Sequence, residues 1–366
     1  MSGSVQHALR EPAEPLEPIV DPAAWSKEDL ARANGWLYPL SEREIADLDR
    51  VVADLEARGV ALIDVRRDDV PMPVLGPVLE RLQAELLDGR GFVLMRGVPV
   101  HRYTRLQSAI AFWAIGAYVG VPVSQNAHGH LLGHVIDLAT DPDDPAERGY
   151  YTAKKLSFHV DGVVDIVGLL CLQRAKSGGE SAVVSSVSVY NEMLRRRPEF
   201  VAALREPIYR DRHDEIPEGA LPYYQLPVFS FQDGYLSTGY GNIRSALRFP
   251  DVPRHSAELT GALEMFDAVA TELCFTMEFQ QGDVQLLNNH VIAHARTSAV
   301  VDYPEPSRKR HLLRLRMMTP GGRPMSPAYF ALENLRPDHI TPGQRHSGAI
   351  VAPDTVLKVP LEPTER

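Results

Sequence analysis

Between residues 133 and 318 the chain breaks into short apolar runs separated by glycine-bearing turns, and this texture limits its folds more than any other feature. The runs at 133–138, 157–161, 167–172, 181–186, 228–230, 234–237, 283–287 and 311–318 have strand length and composition. Helical spacing interrupts them only at 189–197 and 257–279. Upstream, 41–58 reads as a helix with a capping-box pattern in Ser41 and Glu44, followed by a strand at 60–64, a helix at 75–87, a strand at 91–97 and an amphipathic helix at 105–119. Regular strand-helix alternation is missing, so the expected class is mainly β with flanking helices (α+β), a β-sandwich or jelly roll rather than a doubly wound sheet.

Several function classes lose their support at once. No G-x-G-x-x-G follows a strand, and neither a G-x-x-x-x-G-K-[ST] loop nor a G-x-S-x-G elbow occurs. A formal net charge of −10 offers no electrostatic footprint for nucleic acid. No apolar run reaches membrane-spanning length, and the opening MSGSVQHALREPAEP lacks the apolar core of a signal peptide, so a cytoplasmic protein is expected. Cys171 and Cys274 both sit in apolar stretches and are expected to be buried thiols. The expected organisation is an extension over 1–40, with a proline- and acid-rich leader draped on the surface, and one domain over 41–366 whose core motifs fall within 91–318.

His159-Val160-Asp161 carries the chemistry. An H-x-D pair on a strand or at its end places both side chains on one side, and a histidine far downstream completes two imidazoles and one carboxylate. Such a set holds ferrous iron while leaving coordination positions free for oxygen chemistry. The downstream partner is His294 or His290, which share strand parity.

Taken together, Ser157-Phe-His-Val-Asp-Gly162, Ser177-Gly-Gly-Glu-Ser181, Gly282-Asp-Val-Gln-Leu-Leu-Asn-Asn289, His294-Ala-Arg296 and Arg310-His-Leu-Leu-Arg314 resemble the TauD/TfdA family of iron(II)- and 2-oxoglutarate-dependent dioxygenases, within the clavaminate synthase-like group. The resemblance implies a double-stranded β-helix with iron at one mouth. It implies His159, Asp161 and His294 as metal ligands, because similar proteins place the distal histidine two residues before an arginine, as in His294-Ala-Arg296. His290 is then expected to be a hydrogen-bonded neighbour. Family members that halogenate lack the acidic ligand, and Asp161 therefore disfavours that reaction.

The same resemblance assigns the far carboxylate of 2-oxoglutarate to Arg310, sixteen residues beyond His294, since an arginine fork suits a carboxylate. Arg314 shares parity with Arg310 and is expected near the co-substrate or substrate. Ser185 is the expected hydroxyl in that pocket, although counting from Gly178-Gly179 arrives at Val184. The implied requirements are iron(II), 2-oxoglutarate and dioxygen, with succinate and carbon dioxide released as a substrate C–H bond is oxidised. Gln125, Asn126, Tyr151 and Arg244 are the substrate candidates; Arg244 could bind a carboxylate. Their mixture of polar and aromatic groups suits a small organic acid, amino-acid derivative or natural-product intermediate. The competing reading is a non-catalytic jelly-roll protein that binds a metal or ligand.

Overall fold

Alternation along the strand Val284–Asn288 shows how the core is divided. Val284 and Leu286 pack into a cluster with helices, while Leu287 joins a second cluster and Gln285 faces a cavity. Successive strand side chains point to opposite faces, so one strand serves two cores. The structure is a computed structural model that describes residues 9–364 except 33, 142–143, 145–147, 214, 217–218 and 330–355.

This strand sits in a seven-stranded sheet ordered Leu37–Pro39, Phe92–Arg96, Val284–Asn288, Ile166–Gln173, His311–Met318 and Val121–Pro122, with Leu132–Ile136 also paired to His311–Met318. Apart from the parallel pair at the Leu37–Pro39 edge, its ladders are antiparallel. A four-stranded antiparallel sheet, ordered Phe275–Met277, Ser181–Ser185, Ile292–Arg296 and Leu156–His159, faces it. Phe92, Leu94, Leu169 and Leu287 of the larger sheet share one apolar cluster with Phe158, Val183 and Ala295 of the smaller. Two facing sheets with helices on their outer sides form the expected jelly roll.

The helices Glu42–Arg58, Gly76–Asp88 and Arg105–Val119 cover the larger sheet, and Ser186–Arg196, Pro198–Ala203 and Ala257–Leu273 cover the smaller. Ser41 and Glu44 make the reciprocal capping box, and Gly59 ends that helix at φ 60°, a left-handed position suited to glycine. Arg105–Val119 is not the amphipathic helix expected: the nine consecutive positions from Ser108 to Gly116 are buried, on every side, because helices lie on one flank and the sheet on the other.

Three other expectations change. The run at 60–64 is a short 3-10 turn, Leu62–Asp64, that drops Leu62 into the helical cluster and has no strand neighbour. The helix expected to reach residue 279 stops at Leu273, and Phe275–Met277 pairs with Ser181–Ser185 instead. Phe and Thr favour that edge, where the ladder satisfies their backbone. The leader is built into the body rather than draped on it: Ala13, Ile19, Ala23 and Trp25 are buried. Backbone N–H groups of Leu16 and Ile19 donate to the Tyr190 hydroxyl and Asn191 Oδ1, both at 2.8 Å, and Asp21 accepts from Arg10 at 2.9 Å. Cys171 is a buried free thiol and Cys274 a partly buried one. Among the described residues no helix is long and apolar enough to cross a membrane.

Candidate metal centre

His294 lies at the middle of Ile292–Arg296, directly opposite His159, the last residue of Leu156–His159. Their rings face each other with centroids 4.4 Å apart. The strand expected to include Asp161 ends before it, so strand parity does not place this carboxylate. Asn289 does: its Oδ1 accepts from Asp161 N at 2.9 Å, and its Nδ2 donates to the carbonyls of Asp161, Gly162 and Val164. One ligand-type atom from each of His159, Asp161 and His294 falls within 4.8 Å of the others. Replacing Asn289 with alanine is expected to destabilise the fold by about 2–3 kcal/mol, because several buried carbonyls lose their donor. The same change is expected to weaken metal binding roughly tenfold or more. Urea unfolding and metal titration check the two effects separately.

Tautomer and charge suit a divalent cation. His159 Nδ1 is 2.8 Å from Ser157 O, which assigns the proton to Nδ1 and leaves the Nε2 lone pair unspent, 4.0 Å from Asp161 Oδ1. His294 makes no hydrogen bond among the described residues, and its Nδ1 is fully buried. Burial pushes both imidazole pKa values down, that of His294 to about 3 with help from neighbouring His159. Burial alone would raise the Asp161 carboxyl, but Arg316 at 2.9 Å and Arg314 at 3.3 Å outweigh it and hold Asp161 well below the usual carboxylate range. Neutral rings and an ionised carboxylate are the forms that bind metal.

Burial holds both rings below the ordinary histidine value of 6.5, so they lose their protons at lower pH than an ordinary histidine does. Metal binding between pH 6 and 8 should therefore release few protons from the triad. Calorimetric titration in buffers of different ionisation enthalpy would expose the opposite result as a buffer-dependent heat.

The three groups open onto a cavity of about 370 Å³ between the sheets. Arg310 lines it while only 7% exposed; its backbone N–H donates to Asp302, but its guanidinium has no hydrogen bond or ion pair among the described residues. Arg314 also lines the cavity, donating to Gln125 Oε1 at 2.8 Å and lying 4.4 Å over the Tyr150 ring. Arg244 reaches the cavity rim paired with Asp267 at 2.8 Å.

Other candidates fall elsewhere. Ser185 is fully buried and its hydroxyl caps the next helix by accepting from Ser188 N; it does not line the cavity, whereas Ser181, four residues earlier on the same strand face, does. Gln125 stands behind Arg314, and Asn126 holds its own loop by accepting from His128 and His130 N–H groups. Tyr150 lines the cavity and Tyr151 does not; the two rings meet edge-on with centroids 4.5 Å apart. His290 sits outside the triad, 2.9 Å from Asp165 Oδ1. Arg316 was not singled out in the sequence; its parity with Arg310 and Arg314 was the available signal.

The profile of the taurine catabolism dioxygenase TauD, TfdA family matches residues 58–316. The chain is 29% identical to an FR-33289 synthase of Streptomyces rubellomurinus, over 84% of this chain and 92% of that protein. It is 32% identical to a taurine hydroxylase-like protein, SAT17, of Stachybotrys chartarum, over 81% and 79%. A solved asparagine oxygenase, in complex with Fe(II), 2S,3S-3-hydroxyasparagine and succinate, shares the fold at a TM-score of 0.61 and 17% identity, over 78% of this chain and 94% of that one. The non-haem iron oxygenase OrfP, in complex with Fe, succinate and (3S)-hydroxy-L-Arg, aligns at 0.59 and 16%, over 77% and 94%. With the family profile spanning most of its length, this chain belongs to the TauD/TfdA family of iron(II)- and 2-oxoglutarate-dependent dioxygenases.

Proposed function

We propose that the enzyme oxidises a C–H bond of a small organic acid, amino-acid derivative or natural-product intermediate, with His159, Asp161 and His294 holding its iron. The observation that carries this reading is the meeting, in one cavity, of the three ligand groups and the buried, unpaired guanidinium of Arg310. When bound, ferrous iron and 2-oxoglutarate supply, with dioxygen, the two-electron oxidation that also yields succinate and carbon dioxide.

The chain's own residues do the positioning. Arg310 provides a dry, permanently charged fork for the far carboxylate of the co-substrate. Ser181, rather than Ser185, offers the nearby hydroxyl on the cavity wall. Arg314, Tyr150 and Arg244 face the remaining space and are proposed to contact the substrate. The solved neighbours in complex with 2S,3S-3-hydroxyasparagine and with (3S)-hydroxy-L-Arg support a small polar molecule of this kind. Residues 41–366 are proposed to act as one dioxygenase domain into which the 1–40 extension is packed.

Anaerobic titration of the protein with ferrous iron and then 2-oxoglutarate tests the reading: a visible metal-to-ligand charge-transfer band is expected, and its absence would reject it. Succinate release across a panel of amino acids and secondary-metabolite acids would then identify the substrate.

A further inference from the structure

We propose that Arg316 is a positioning residue that restricts Asp161 to a single metal-facing oxygen. The proposal rests on the iron reading above. Carboxylates bind hard cations through one oxygen or through both. A three-ligand site keeps positions open for a chelating co-substrate and dioxygen only if its carboxylate uses one.

The two oxygens of Asp161 have different surroundings. Oδ2 accepts from Arg316 Nε at 2.9 Å and lies 3.3 Å from Arg314 Nη1. Oδ1 has no arginine on it and is the oxygen 4.0 Å from His159 Nε2. The arginine fork thus covers the side of the carboxylate turned from the imidazoles. Arg316 cannot easily swing away, because its Nη1 also donates to the Gln125 carbonyl at 3.3 Å.

Gln125 is itself immobilised. Its N–H donates to His130 O at 2.9 Å, and its side-chain Nε2 donates to Leu131 O at 3.0 Å and Arg314 O at 2.8 Å. Asn289 meanwhile fixes the main chain of Asp161 from the other side. The carboxylate is therefore held at both its backbone and one oxygen, and only Oδ1 is left to donate. This arrangement also explains why Gln125 is buried at 3% exposure without lining the cavity. A lysine would keep the charge at position 316 but could not span Oδ2 and the Gln125 carbonyl with a planar fork.

The test uses cobalt(II) as an oxygen-inert probe, since its visible absorption reports coordination number. Wild-type, Arg316→Gln and Arg316→Lys proteins are checked for folding by circular dichroism, then titrated anaerobically with cobalt(II) and with 2-oxoglutarate. In Arg316→Gln, Oδ2 loses its shorter hydrogen bond and keeps only the 3.3 Å contact with Arg314, so it should turn toward the metal. The variant is expected to bind cobalt(II) at least as tightly as wild type, to show an altered cobalt spectrum, and to bind 2-oxoglutarate about 10–100-fold more weakly. Arg316→Lys should fall between the two.

An unchanged cobalt spectrum and unchanged 2-oxoglutarate affinity in Arg316→Gln would overturn the proposal. So would loss of cobalt binding in a folded variant, which would make Arg316 a support for ligation itself. Should the glutamine variant not fold, the lysine variant decides by the same readouts, and wild-type behaviour there rejects the idea. If wild-type protein binds neither the metal nor 2-oxoglutarate, the iron reading fails instead.

Discussion

Alanine at His294 is expected to reduce oxygen-dependent succinate formation by on the order of a thousandfold or more, equivalent to about 4 kcal/mol of lost barrier reduction. The reason is local. His294 and His159 sit opposite each other in adjacent strands, so no backbone adjustment brings a substitute donor to the same point. Folding should hardly change, within about 1 kcal/mol, because the lost imidazole makes no hydrogen bond and contributes a buried, unpaired nitrogen to the metal-free protein. Iron content, succinate yield and urea midpoint measured together separate these effects. Alanine at His290 is the control. His290 is engaged with Asp165, outside the triad, so that variant should keep its iron while losing some stability. Iron loss in the His290 variant alone would show that the distal ligand is misassigned.

Arg310→Ala should act on the co-substrate and spare the metal. Truncating one side of a buried, hydrogen-bonded charge pair costs about 2–5 kcal/mol, much of it from leaving the other charge unpaired. That range corresponds to a rise of roughly thirtyfold to several thousandfold in the 2-oxoglutarate concentration needed. Metal affinity without co-substrate should stay near wild type, since Arg310 contacts none of the triad residues. Arg310→Lys should recover only part of the loss, because a lysine keeps the charge and gives up the two-pronged geometry. A KM for 2-oxoglutarate that does not move in Arg310→Ala would relocate the carboxylate clamp, with Arg296 the next arginine on the cavity wall.

Ser185, the expected pocket hydroxyl, caps a helix, while Ser181 lines the cavity. Both serines lie on one strand face, and parity alone cannot tell them apart. What separates them is the following helix, whose first turn needs a hydroxyl cap and takes Ser185 for it. Arg105–Val119 makes the same point for packing. Its caps and length could be read, since they depend on neighbours in sequence, but its burial on every side depends on helices brought in from elsewhere. The substrate candidates fared unevenly for this reason: Arg244 reaches the cavity, whereas Gln125 and Asn126 serve the loop behind it.

Local order alone determined the strand-rich class, the helix caps, the H-x-D pair and the arginines spaced along His311–Met318 and just before it, because each is a matter of period or of adjacent residue types. Tertiary structure decided which histidine lies beside His159 and Asp161, that Asn289 rather than a strand holds Asp161, and that Arg316 takes one of its oxygens. These are contacts between segments more than a hundred residues apart, and their partners are chosen by the register of facing sheets, which no single segment contains.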